Sequence, residues 1–326
     1  MLPEEVKEAV DYPVPPHSLR AGYGLGGMAL ALLALLFGSG LVLAYFGYVP
    51  SAEEAYDSVV KISDSPALAN FRSIHYVSAE IFLLLIALHV TRVALTKSYH
   101  GARRLTWNIG ILILALSTMF FFTGTLLKWD QEGYEAFGHV LWANEFMPFG
   151  DTINTLFFEK RPVLKMFTVH VVLLPLLASA LIGVHLSLIK VLKISGLNPT
   201  HPAAPETESF IGHLKMVVKY SAIIAGVIIA VSFFFQPDIT GKPFEGVEWT
   251  KPPWPFLFIY TLENWFGIWA LLAVPPVLFA WLLVIPSFSK KTNGWDAGQI
   301  IYFSGLVVII TLILIGAWTA LAEHMM

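Results

Sequence analysis

Residues 72–92 read RSIHYVSAEIFLLLIALHVTR, and two histidines, His75 and His89, stand 14 residues apart inside this stretch. Its apolar run is long enough to cross a bilayer as a helix. At about 100° per residue, 14 steps bring the second imidazole back to within about 40° of the first, so both point the same way. A rise of about 1.5 Å per residue sets the rings about 21 Å apart along the axis, one near each edge of a hydrocarbon core about 30 Å thick.

A second apolar segment, 167–189, answers the first with His170 and His185, 15 residues apart. These too return to nearly one face. A lone histidine in a membrane helix is more often hydrogen-bonding glue or a polar pore residue than a ligand. Four in two depth-matched pairs form a clamp for two planar metal cofactors, each ligated from both sides, and bis-histidine haem is the natural occupant. Arg72 and Arg92 flank the first pair, where their charges either meet haem propionates or snorkel to the interface.

Hydrophobic residues fill 56% of the 326 positions and charged residues 13%, a composition that excludes an ordinary soluble domain and fits a polytopic membrane protein. The net charge of -3 gives no reason to expect a nucleic-acid partner. Cysteine is absent, which excludes disulfides, iron–sulfur ligation, thiolate zinc sites and thioether-linked haem within this chain. No cleavable signal is visible, so the first spanning helix is expected to direct insertion.

In chain order, residues 1–20 form a polar arm, with an interfacial helix expected over 4–10. Spanning helices are expected at about 23–48, 72–92, 105–127, 163–192, 213–235, 264–285 and 299–321. Residues 132–162 are too mixed to span and are expected to lie on the surface as amphipathic helices. A Pro-rich polar linker at 198–208 is the best internal boundary. It divides a four-helix haem-binding domain (21–197) from a three-helix C-terminal domain (198–326). The architecture expected is all-α: seven transmembrane helices, an N-terminal four-helix dihaem bundle plus three more. With the N-terminus in the cytoplasm and the C-terminus outside, Lys97, Arg103, Arg104, Lys190, Lys193, Lys290 and Lys291 fall in cytoplasmic loops, as the positive-inside rule requires.

Gly22, Gly24 and Gly27 match a dinucleotide-binding pattern, but no strand precedes them and the helix they open is apolar throughout, so the match is a decoy. Gly26 and Gly40 in the first helix and Gly110 and Gly124 in the third are each 14 apart, the interval of His75 and His89. Such glycines let a flat macrocycle approach the backbone, or serve small-residue helix packing.

These features together resemble cytochrome b, the haem and quinone subunit of cytochrome bc complexes. The resemblance covers nearly all of the chain: the glycine and histidine pairs, Leu-Thr-Trp at 105–107, Trp-Asp-Gln at 129–131 and Pro-Asp-Ile-Thr-Gly at 237–241. The 15-residue histidine interval and seven spans look like the photosynthetic type with its two polypeptides fused. That type attaches an additional haem through a cysteine in Tyr-Cys-Leu-Gly-Gly; here the residues are Tyr23-Gly24-Leu25-Gly26-Gly27.

The resemblance implies two non-covalent b-type haems, the outer one on His75 and His170 and the inner one on His89 and His185. It implies quinol oxidation near the outer face of the cell (inner) membrane, with electrons passing to a Rieske iron–sulfur protein and c-type cytochrome and across both haems to an inner quinone site. A homodimer is implied as well. Lys190 matches a position lining the inner quinone site, or is a snorkelling lysine at a helix end. The family's outer site carries Pro-Glu-Trp-Tyr, and this chain has Pro252-Pro253-Trp254-Pro255, so the motif carboxylate is missing. A quinol giving up protons needs an acceptor within hydrogen-bond reach; Glu248 and Asp130 are the acids expected to serve, with Glu263 a third candidate. Glu80, an intramembrane carboxylate, lies about 140° around its helix from His75 and is expected to face a partner or dimer contact. Two other functions are compatible with the sequence: a dihaem conduit between the quinone pool and a non-Rieske partner such as a multihaem cytochrome c, and a haem-free transporter whose histidines relay protons.

Overall fold

The computed structural model describes residues 11–195, 207–246, 248–290 and 292–321. Seven helices among them are long and apolar enough to cross a membrane: α1 Ala21–Phe46, α2 Pro66–Leu95, α3 Arg103–Leu127, α4 Pro162–Leu192, α5 Phe210–Ser232, α6 Trp269–Ser287 and α7 Ala297–Trp318. The fold is therefore the expected all-α membrane architecture. The helix expected at 4–10, most of the linker at 198–208 and Lys291 lie outside the described residues.

Helix ends follow local chemistry. Pro66 opens α2 with no amide to waste. The Asp296 side chain caps α7 by accepting from Gln299 N at 2.9 Å, and Ser209 caps α5. The sixth span begins later than expected. Residues 264–266 finish a separate short helix, Leu257–Phe266, because Gly267 takes a φ of 72° and turns the chain before Trp269. The surface stretch forms the amphipathic helix Gln131–Glu145 and a shorter Gly150–Asn154, as expected.

In α1–α4, α1 packs along α2 and α3 along α4, while α5 closes against α1 and α2. Leu32, Phe82, Ile86, Ile111, Ile228 and Leu282 meet in one buried cluster drawn from α1, α2, α3, α5 and α6. Leu41, Phe46, Leu176, Val307 and Leu314 are exposed, as lipid-facing side chains would be. Lipid gives no water-driven force between helices, so close packing and polar ties hold them. Gly24 and Gly27 show the first: Cβ atoms there would approach Met216 and Val217 of α5 to 3.1 and 2.8 Å, so the dinucleotide-like pattern is a helix contact.

Polar ties join the four-helix unit to α6 and α7. Trp107 Nε1 donates to Leu282 O at 2.9 Å, and the Thr91 and Tyr302 hydroxyls meet at 2.8 Å. Lys97 and Asp296, both buried, pair at 3.2 Å, and Lys97 also donates to Gly294 O at 2.7 Å. Burial alone would raise the Asp296 pKa; donors from Ser289, Gln299, Lys290 and Lys97 outweigh it and hold the carboxyl at about 2. The described part of the N-terminal arm is packed rather than loose: Pro13 and Val14 pair with Ser209 and Glu208, and His213 Nδ1 donates to Ser18 O at 2.8 Å.

The long segment after α5 has almost no regular structure, and buried side chains supply its missing hydrogen bonds. Arg72 donates to Pro237 O at 2.8 Å and Asp238 O at 3.1 Å. Asp130 Oδ2 accepts from Thr240 N, Gln131 Oε1 from Phe244 N, and the two Glu135 oxygens from Trp249 N and Thr250 N.

Candidate functional site

The four singled-out histidines all lie against glycines of α1 or α3, and His75 and His170 meet across the bundle. The His75 and His170 rings lie 6.5 Å apart between centroids, their planes at 62°. Two metal–imidazole bonds of about 2 Å each, added to two ring half-widths, fill a gap of this size. His75 Nδ1 donates to Leu36 O and Ser39 Oγ, both at 3.1 Å, while the Ser39 hydroxyl is committed to Leu35 O at 2.8 Å. His170 Nδ1 donates to Thr123 Oγ1 at 2.8 Å, whose own proton goes to Met119 O. Each ring therefore carries its proton on Nδ1 and turns a bare Nε2 lone pair inward, the tautomer a metal requires.

Behind each imidazole stands one glycine. A Cβ at Gly40 would come to 3.0 Å from His75 Cε1, at Gly26 to 3.1 Å from His89 Cε1, and at Gly110 and Gly124 to 3.3 Å from Cε1 of His185 and His170. The shared 14-residue interval thus matches the histidines: α1 and α3 carry a gap wherever α2 and α4 carry a ring.

The 15-residue interval of α4 also has a local cause. Val169–Leu173, which includes His170, is a π turn. A π turn takes one more residue than an α turn, so 15 positions here advance the chain about as 14 do in α2.

The two ends of the bundle differ. Ser39 and Thr123 precede Gly40 and Gly124, whereas Leu25 and Ile109 precede Gly26 and Gly110. At that second end His89 Nδ1 is buried without a hydrogen-bond partner. Arg92 lies over the Tyr23 ring, 4.6 Å from its centroid, with Nε unpartnered. Among the described residues no group of three or more His, Asp or Glu could hold a metal ion. The imidazoles with glycines behind them suit two bis-histidine haems, in which the macrocycle supplies the remaining nitrogens.

The remaining sequence candidates scatter. Arg72 is spent on the Pro-Asp-Ile-Thr-Gly loop, as described above. Lys190 is exposed on the last turn of α4. Asp130 is fully buried and both its oxygens are engaged, by Gly133 N and Thr240 N, with Lys128 at 3.3 Å. It caps a helix and pins a loop. Glu248 and Glu263 converge on His139, at 2.6 and 3.3 Å from its Nε2. Burial would lower the His139 pKa, but the two carboxylates outweigh it and lift it to about 10. The sequence reading missed His139, whose partners arrive from the distant post-α5 segment.

Pro252 and Pro253 lead into a short turn, Trp254–Phe256. The Trp254 indole donates to Glu80 of α2, which also has a hydrogen bond with Tyr76. Phe256 sits 6.0 Å from Phe121 and 5.9 Å from Phe122 of α3. Glu80 does face away from the histidines, but what it meets is this chain's own loop, in place of the expected partner or dimer contact.

Residues 9–193 match the sequence profile of the family Cytochrome b/b6/petB. The chain is 31% identical over 198 residues to cytochrome b6 of Heliomicrobium gestii, covering 58% of this chain and 92% of that one. It is 34% identical over 193 residues to cytochrome b6 of Synechocystis sp., covering 56% and 85%. A chain of a solved hyperthermophilic respiratory Complex III superposes with a TM-score of 0.79 at 23% identity, over 98% of this chain and 89% of that chain. The chain belongs to the cytochrome b family and is a b6-like cytochrome b of the bc-type complexes.

Because the Nδ1 anchors orient the first pair, Thr123→Val is expected to loosen cofactor retention at His170 by about 10–100-fold while sparing the His89–His185 end. Cofactor dissociation followed by absorbance during detergent dilution measures this.

Proposed function

We propose that this chain is the electron-carrying subunit of a quinol-oxidising complex, with one b-type haem between His75 and His170 and another between His89 and His185. The observation that carries the proposal is that His75 of α2 and His170 of α4 lie 6.5 Å apart between ring centroids and that each of the four imidazoles has a glycine of α1 or α3 behind it. Haem held there supplies one-electron transfer along the bundle.

The residues divide the remaining work. Ser39 and Thr123 fix the outer rings, and Arg92, with its unpartnered Nε, is placed for an anionic group such as a propionate. The turn from Pro252 to Phe256, wedged between α2 and α3, forms the floor of an outer quinone site, and Lys190 borders an inner one. A Rieske iron–sulfur protein and a c-type cytochrome are the partners that fit this chemistry, with the complex a homodimer. The superposition on a chain of a respiratory Complex III supports a multi-subunit setting. The location proposed is the cell (inner) membrane, multi-pass, N-terminus in the cytoplasm and C-terminus outside. The domain boundary near residue 198 is retained as part of the proposal.

A reduced-minus-oxidised spectrum of the purified chain, with acid extraction of its haem, tests the reading. Two extractable b-type haems per chain are expected, and quinol should reduce them in the assembled complex. A folded chain without b-type absorbance would sink the proposal.

A further inference from the structure

We infer that Glu80 is the proton acceptor of the outer quinol site, held there by the Trp254 indole; this rests on the quinol-oxidation reading above. Three observations converge. First, a carboxylate inside a membrane span is costly, and its presence asks for a task. Glu80 sits five residues past His75, about 7.5 Å further along the α2 axis, and its partners are the neutral donors Trp254 and Tyr76.

Second, the loop that reaches it is the one that bounds the outer site. Trp254 opens the turn whose Phe256 packs on Phe121 and Phe122, and the next residue on α3, Thr123, holds His170. Aromatic contacts therefore tie the turn beside the carboxylate to the stretch of α3 that also meets His170, through Phe120 at 5.6 Å and Thr123, so a flat hydrophobic ring placed there would lie between a base and the outer pair. Pro253 offers no acid there.

Third, the acids the sequence put forward, and Glu135 beside them, are committed. Asp130 caps a helix and accepts from Thr240 N, Glu135 accepts from Trp249 N and Thr250 N, and Glu248 and Glu263 share His139. Glu80 alone among these carboxylates is presented on a spanning helix beside the turn.

The step balances as follows. One quinol O–H bond breaks and its proton passes to a Glu80 oxygen, giving the carboxylic acid. The second proton leaves to water at the outer face. The two electrons would leave singly, one to an iron–sulfur partner and one to the haem that His75 and His170 would hold.

The test uses membranes holding the assembled complex, with a short-chain naphthoquinol and, in parallel, a short-chain benzoquinol, and follows the rate of haem reduction. Glu80→Gln is expected to slow it about 10²-fold or more, the usual worth of a positioned base, while the dithionite-reduced spectrum stays intact. Glu80→Asp should recover part of the rate. If Glu80→Gln fails to retain haem, Trp254→Phe carries the test, because it keeps the carboxylate and removes its donor; a rate about tenfold lower is expected. Parent-like rates in haem-replete Glu80→Gln, or in Trp254→Phe where that variant stands in, would overturn the proposal. Loss of rate in Glu248→Gln alone would hand the role to Glu248. If neither quinol reduces the parent while dithionite reveals both haems, the quinol-oxidation reading itself fails.

Discussion

A full-length chain carrying His89→Ala is expected to hold one b-type haem in place of two. The proposed pairs put His89 with His185 at one level of the bundle and His75 with His170 at another, about 21 Å away along the helix. Removing one imidazole leaves His185 as a single ligand at its level. The outer pair keeps its own anchors, Ser39 and Thr123, and its own glycines, Gly40 and Gly124. Extractable haem should fall by half, and a redox titration followed by absorbance should resolve one component. Equal loss from both levels in a folded variant would break the assignment of pairs.

The second large effect concerns stability. His139→Phe should leave Glu248 and Glu263, both buried, as two carboxylates with no cation between them, at a cost of about 3–5 kcal/mol. The wild-type contribution has a definite pH window. The folded histidine titrates at about 10 and the unfolded one at 6.5, so the stabilisation is complete below pH 6.5, shrinks above it as only the unfolded state releases its proton, and is gone once pH passes about 10. Thermal unfolding of the detergent-solubilised protein across that range, with His139→Phe alongside, measures both magnitude and direction. A wild-type melting curve indifferent to pH between 6.5 and 10 would show that His139 is not held charged.

Hydropathy and periodicity exposed the spans, and identical intervals exposed the paired histidines and their glycines, because both signals live within single helices. What lies opposite a residue is not written in its own helix. The 14-residue glycine interval pointed to a gap but not to the imidazole that fills it. Glu80 was placed correctly on a face away from His75, yet nothing in α2 announces that Trp254 will arrive there. For Arg72 the sequence offered a propionate contact or a snorkelling role, and nothing in α2 announces the loop carbonyls of Pro237 and Asp238 to which it donates, an irregular segment without ladder partners needing strong donors. The partners of Asp130 and His139 were illegible for the same reason: each depends on a segment folded back from far downstream.

The π turn at Val169–Leu173 also says something about how such a chain tolerates changes in length. An extra residue in a spanning helix would normally rotate everything beyond it by about 100° and carry a cofactor ligand out of line. Widening one turn absorbs the surplus where it arises, so His185 keeps its bearing while the count between ligands changes. What the fold must hold constant is therefore the direction in which the second imidazole points, and a single-residue insertion or deletion between the two histidines is expected to be tolerated wherever a turn can widen or tighten beside the first.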